Sequence, residues 1–180
     1  MIQGDSNDQT EIRTQFEAAY AEFGGAILRF ATRLCGNRDD AEDIVVETFV
    51  RAFQCWHEYH GTGSRRAWLF GIAHNATRMA QRRRPRTEGQ IPDEIEAPQE
   101  NVLEWIAIQQ AVNELPTKQK ESFLLVKGEG LTASEASDAL NRPIGSILSD
   151  VFHAVRFLRA KFSEKEPISA RPPKICEAEL

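Results

Sequence analysis

The chain has little cysteine, no long apolar run and no excess of positive charge. Its three cysteines, Cys35, Cys55 and Cys176, are odd in number, far apart and without a CxxC pair. That excludes a disulfide framework and points to a reducing cytoplasm. No apolar stretch approaches the roughly 20 residues a membrane-spanning helix needs, and Met1 to Gln9 is polar, so a soluble, unexported protein with no membrane insertion is expected. A formal net charge of -5 argues against a protein that coats nucleic acid at large, because such binding sums many lysine and arginine contacts to phosphate. Strand-like alternation and internal repeats are also missing. An all-helical (all-α) protein follows, and 180 residues allow either one domain or two small ones.

The charge that is present is segregated. Residues 64–86 carry seven arginines and no acid, residues 87–104 carry six acids and no base, and the first 47 residues hold ten carboxylates against four arginines. Adjacent blocks of opposite sign imply different tasks, and a nucleic acid would approach the middle.

Apolar spacing places the helices. Ile12, Phe16, Ala19, Phe23, Ile27, Phe30 and Leu34 share one face of a first helix that stops near Gly36-Asn37. A second, capped by Asp39 or Asp40, shows Ala41, Ile44, Val45, Thr48, Phe49, Ala52, Phe53 and Trp56 at alternating spacings. The glycine loop Tyr59 to Ser64 leads to a third helix with Trp68, Leu69, Ile72, Ala73, Ala76 and Ala80 inward, ended by Pro85. From there to Glu100 the chain is acidic, proline-bearing and without period, which is a linker. Helices over 102–113 and 118–127 follow, the second closed by Gly128 and Gly130. Thr132 then caps Ala133 to Leu140, Asn141-Arg142-Pro143 makes a turn, and a last helix runs from about Gly145 to Lys161. The expected division is 10–86 and 101–163 as two small helical domains, 87–100 as a flexible acidic linker, and 164–180 as a flexible tail.

A short helix, a tight turn and a second helix is the layout of a helix-turn-helix, in which the second helix enters the major groove. Residues 132–161 fit it, although two helices of an ordinary bundle would read alike. Around the glycine loop, Trp56, Tyr59 and Trp68 interleave with Arg65, Arg66 and Arg78. Flat faces for unstacked bases beside cations for phosphate suit a single strand. The plainer alternative makes the tryptophans core and the arginines a solvated face, and for Trp56 the apolar stripe favours core. Cys55, His57 and His60 lack a fourth ligand, so no metal and no cofactor are expected. Paired carboxylates without pocket or nucleophile do not suggest an enzyme. His74 and His153 read as a core-edge and a surface histidine.

The run Asn37 to Phe53 (NRDDAEDIVVETFVRAF) resembles region two of the extracytoplasmic-function (ECF) sigma factors of RNA polymerase. Arg66 to Asn75 (RAWLFGIAHN) resembles their promoter-melting helix. Leu115 to Glu121, Gly130 to Thr132 and Pro143 to Ile147 resemble region four and its helix-turn-helix. The likeness covers about residues 12–162. It implies a non-enzymatic initiation factor, monomeric when free, whose partners are core RNA polymerase, promoter DNA and an anti-sigma factor. By that resemblance Asp39, Asp40, Glu42, Asp43, Glu47 and Arg51 would dock on polymerase. Tyr59, Gly61, Thr62, Ser64, Arg65, Arg66, Trp68, Asn75, Arg78, Arg82 and Arg83 would hold the melted minus-ten strand, and the acidic linker would thread the polymerase channel. Arg142, Pro143, Ser146, Leu148, Ser149, Asp150, His153 and Arg156 would meet the minus-thirty-five element.

The recognition helix departs from the family pattern. Leu148, Asp150 and Ala154 stand where basic residues are usual, and Val46 where glutamine is common. An aspartate facing phosphate repels it, so weakened duplex binding is expected, with strengthening on Asp150→Arg. Leu148 and Phe152 would leave an apolar patch on that face. A sigma-like protein that competes for polymerase or an anti-sigma factor without initiating is the alternative. A dimeric helix-turn-helix repressor would need a basic recognition helix and a dimer interface, and the sequence offers neither.

Overall fold

A computed structural model describes residues 5–56, 59, 64–83 and 102–163. Among them are seven α-helices and one π-helical turn: α1 (Asp5–Cys35), α2 (Arg38–Gln54), α3 (Arg65–Arg83), α4 (Val102–Asn113), α5 (Thr117–Phe123) running into the π turn Leu124–Gly128, α6 (Ala133–Leu140) and α7 (Ile144–Ser163). The expected linker at 87–100, the tail at 164–180, and Gly61 and Thr62 lie outside the described residues.

The periodic residues of α1, α2 and α3 face one another. Ile27, Phe30, Ile44, Leu69, Phe70 and Ala73 are all at most 1% exposed. Burying each of the larger side chains is worth about 1.5–3 kcal/mol, which is why the apolar stripe overrides modest helix propensity. Aromatic edges lock the layer: Phe16 meets Phe49, Phe53 and Trp56 at centroid distances of 5.8, 5.3 and 5.7 Å, and Phe30 meets Phe70 at 5.5 Å. Trp56 is 7% exposed, so it is core, as its place on the stripe indicates. The helix start differs from expectation. Asn37, not Asp39 or Asp40, caps α2: its Oδ1 accepts from the Asp39 amide at 2.8 Å and the Asp40 amide at 3.5 Å. An N-cap must be extended while the next residues are already helical, and Asn37 (φ -142°) meets that condition.

In the second half, Thr132 and Glu135 form a reciprocal capping box at the start of α6, and Asn141, in the left-handed region at φ 49°, ends it. Ile147 and Ala154 of α7 are fully buried against this unit. The two halves pack against each other. One apolar cluster runs from Ala19 and Phe30 through Leu69 and Phe70 to Leu125, Ala139, Ile147 and Ala154. Helix α3 crosses α6 at Gly71, where an added Cβ would sit 3.2 Å from the Ala139 carbonyl oxygen. The flanking α3 residues are larger, so glycine at this position is what lets the two backbones come so close.

Candidate nucleic-acid interface

Helix α3 sorts its residues by a seven-residue beat. Asn75 and Arg82 fall on one outward line with Arg78 beside it, and Trp68, seven residues before Asn75, ends that line half-buried, one side against the core; Asn75, Arg78, Arg82 and Arg83 are exposed. At the N-terminal end of the helix the Arg65 guanidinium lies 5.2 Å from the Trp56 ring centre and 5.7 Å from that of Tyr59, while Tyr59 and Trp68 overlap at 5.3 Å with their planes tilted by 35°. Held cation–π contacts of this kind cost Arg65 little of its charge and fix a flat, cationic ledge. Among the minus-ten candidates, Trp68, Asn75, Arg78 and Arg82 are thus brought together, with the Arg65 ledge at one end.

Two of those candidates point elsewhere. Arg66 turns to the second half, where it donates to the main-chain carbonyls of Glu129 and, at 3.5 Å, Gly130. Ser64 hydrogen-bonds the Glu135 carboxylate; that bond and the Thr132 amide hold the Glu135 carboxyl below its ordinary value.

Pro143, just before α7, and Ser146, Leu148, Ser149, His153 and Arg156 on it are exposed, with Leu148 at 56% and Phe152 at 63%. The apolar patch expected on this face is therefore present. Asp150 and Ala154 correct the sequence-based picture. Ala154 is fully buried, because it lies on the Ile147 side of the helix, so an arginine there would have no route to DNA. Asp150 is half-buried and paired with Arg142; Ser122 Oγ donates to the same carboxylate at 3.2 Å, and Arg142 also reaches Ser122 Oγ at 3.3 Å. The aspartate is thus neutralised inside the fold and does not confront phosphate.

The outward face of α2 carries Asp39, Glu42 and Asp43, exposed, with Asp40 half-buried. Arg38 pairs with Glu42 at 2.9 Å and Arg51 with Glu47 at 2.6 Å. Sequence reasoning missed what lies among these charges: Val46, Val50 and Phe53 are 63%, 50% and 54% exposed, a line of apolar side chains four and three residues apart. The signal was legible, since Val46 and Val50 fall off the buried stripe, but Phe53 had been counted as inward. An acid-flanked apolar line is suited to a protein partner, whose apolar groups supply affinity while the acids steer approach.

An all-helical chain pairing a cation–aromatic ledge and basic helix with a separate helix-turn-helix has the makeup of a promoter-reading transcription factor. The model for sigma-70 region 2 matches residues 19–87, and that for sigma-70 region 4 matches residues 105–158. The chain is 31% identical over 131 residues to the ECF RNA polymerase sigma factor EcfG of Rhodopseudomonas palustris, covering 69% of this chain and 72% of that protein. It is 30% identical over 162 residues to the ECF sigma factor SigL of Mycobacterium tuberculosis, covering 82% and 88%. The solved structure of the sigma factor RpoE in complex with the anti-sigma factor NepR from Bartonella quintana superposes with a TM-score of 0.73 at 25% identity, over 84% of this chain and 99% of that one. The structure of CnrH in complex with the cytosolic domain of CnrY shares the fold, with a TM-score of 0.69 at 23% identity over 86% and 91%. The chain belongs to the ECF RNA polymerase sigma factors.

Proposed function

We propose that this chain is a working initiation factor, not an enzyme, which acts on promoter DNA in the cytoplasm through core RNA polymerase and is held in check by an anti-sigma factor. The observation that carries the reading is the outward line Asn75–Arg82 with Arg78, leading from half-buried Trp68 and the ledge of Arg65 on Trp56 and Tyr59. Stacking surfaces alternating with cations match a strand whose bases have left the duplex. The division into 10–86 and 101–163 assigns strand capture and polymerase docking to the first unit and duplex contact to the second. Asp39, Glu42 and Asp43, with the Val46–Val50–Phe53 line continuing from them along α2, form the polymerase face. Ser149, His153 and Arg156 form the duplex face, flanked by Leu148 and Phe152.

The non-initiating competitor is not favoured: of Leu148, Asp150 and Ala154, which had suggested it, Asp150 and Ala154 are engaged within the fold and Leu148 alone stands exposed. Run-off transcription with purified core polymerase on a pool of promoters, with and without this protein, tests the reading. New start sites are expected; polymerase binding without initiation would refute it. Asn75→Ala with Arg78→Ala should abolish initiation while leaving polymerase binding within about twofold, since neither residue lies on α2.

A further inference from the structure

The outward face of α7 has apolar groups to offer a major groove and few cations. At about 100° per residue, Leu148, Phe152, Arg156 and Ser149 share one arc of about 100°, with Gly145 near its middle and Ile144 just outside it. Ile144, Leu148 and Phe152 are each at least 45% exposed and stand four residues apart in one line. The Phe152 ring meets the His153 ring edge-on at 5.5 Å, which restrains its orientation. Arginine and lysine are the usual readers of guanine, and the first turns of such a helix reach the base edges. Here the first arginine or lysine on α7 is Arg156, about 18 Å along the axis from Ile144. Arg142, just before the helix, is turned inward: it pairs with Asp150 and reaches Ser122 Oγ at 3.3 Å and the Lys118 carbonyl at 3.4 Å. Gly145 adds an independent observation. A Cβ there would meet nothing within 4 Å, so the fold has room for a side chain, yet glycine inside a helix is costly. What the glycine does provide is a close approach for a surface arriving from outside.

We propose that α7 reads thymine methyl groups, and that the duplex element this chain recognises carries thymines about two base steps apart against Leu148 and Phe152. The C5 methyl of thymine is the one apolar group that the base pairs present in the major groove. Four residues of helix separate Leu148 from Phe152 by about 6 Å along the axis, and two base steps span about 6.8 Å at roughly 3.4 Å each. Gly145 lets the base edges come close, while Ser149 and Arg156 on the same arc supply a hydroxyl and a cation for base edges or phosphate. An exposed apolar line also suits a protein partner. The arc, however, holds a cation and a hydroxyl and no acid, because Asp150 lies on the far side of the helix paired with Arg142, and that matches a polyanion. The inference rests on the assignment of α7 as the duplex face and names what that face recognises.

The test uses the full chain assembled with core polymerase on a promoter from which the pair initiates. In the upstream duplex element each thymine is replaced in turn by deoxyuridine, which pairs alike and lacks only the C5 methyl. Loss of a contacted methyl is expected to weaken binding about fourfold, the factor that burying one such group gives, at two positions about two steps apart. Leu148→Ala should abolish the difference between thymine and deoxyuridine at one of them and Phe152→Ala at the other. Circular dichroism should be unchanged in both, since each side chain is more than half exposed. Gly145→Ala, which favours helix and meets nothing within the fold, should weaken binding to the same element. Equal affinities for thymine and deoxyuridine duplexes overturn the proposal, and so do alanine variants that bind more weakly yet keep the full wild-type difference. If the assembled complex initiates at no promoter in the pool, the sigma reading falls and the methyl reading with it. Initiation that is indifferent to the methyls strikes the methyl reading alone.

Discussion

At Asp150 a change of sign has the opposite of its naive effect. Replacing the aspartate by arginine sets a cation against Arg142 and strips Ser122 of its acceptor, in a triad where the Arg142 and Asp150 side chains are 19% and 18% exposed and Ser122 is fully buried. Asp150→Arg should therefore lower unfolding free energy by about 2 kcal/mol, the scale of a hydrogen bond to a charged group, and give no gain in duplex affinity; urea denaturation and a gel-shift titration measure the two. Leu148 is the position where a cation helps. At 56% exposure, Leu148→Arg should leave stability within about 0.5 kcal/mol and steepen the salt dependence of duplex binding by about one unit of log–log slope. Both positions had been grouped by sequence as lost basic contacts. What separates them is 200° of rotation about α7, which residue spacing contains but a comparison of residue types does not.

The helices were the most legible elements, for a physical reason: each has an apolar face at regular spacing and end signals a few residues away. Thr132 was readable as a cap because a cap needs only its own first turn; Glu135, which completes the capping box three residues on, was not singled out. Thr132→Ala should cost about 1 kcal/mol by thermal or urea unfolding, since the exposed side chain packs against little else. Glu135 makes this end of α6 acid-sensitive. Its bonds to Ser64 and to Thr132 lower its carboxyl from 4.5, so its contribution is complete above the unfolded value and is lost as pH falls through the lower folded value. The stability difference between wild type and Glu135→Gln should accordingly be constant from pH 7 to about 5 and shrink toward pH 3. The start of α2 was misassigned because two aspartates and an asparagine stand together, and only the extended backbone of Asn37 shows which side chain reaches the free amides.

At the scale of the whole molecule, the joined core was not legible. Leu69 and Phe70 of α3 were readable as buried, but no spacing rule says that Leu125, Ala139 and Ile147 complete the same cluster. Nor does sequence single out Glu129 or Glu121, each an ordinary charge in a polar stretch whose partners lie far away in the chain. Because the core is shared, calorimetry of the free chain should show one transition whose calorimetric and van't Hoff enthalpies agree. Phe70→Ala should lower it by about 3–5 kcal/mol without splitting it. Gly71→Val should split it in two.

The π turn at Leu124–Gly128 holds one residue more than a regular turn. The wide turn absorbs that residue locally. Deleting Val126 would let the segment revert to plain α-helix and leave the register beyond it nearly as it stands, with Glu129 still facing Arg29 and Arg33. Deleting Gln119 from regular helix in α5 would instead turn everything beyond it by about 100° about the helix axis and swing Glu129 away from both arginines with no charged residue altered. The π turn is thus a place where the chain tolerates the loss of a codon, and one turn earlier it does not.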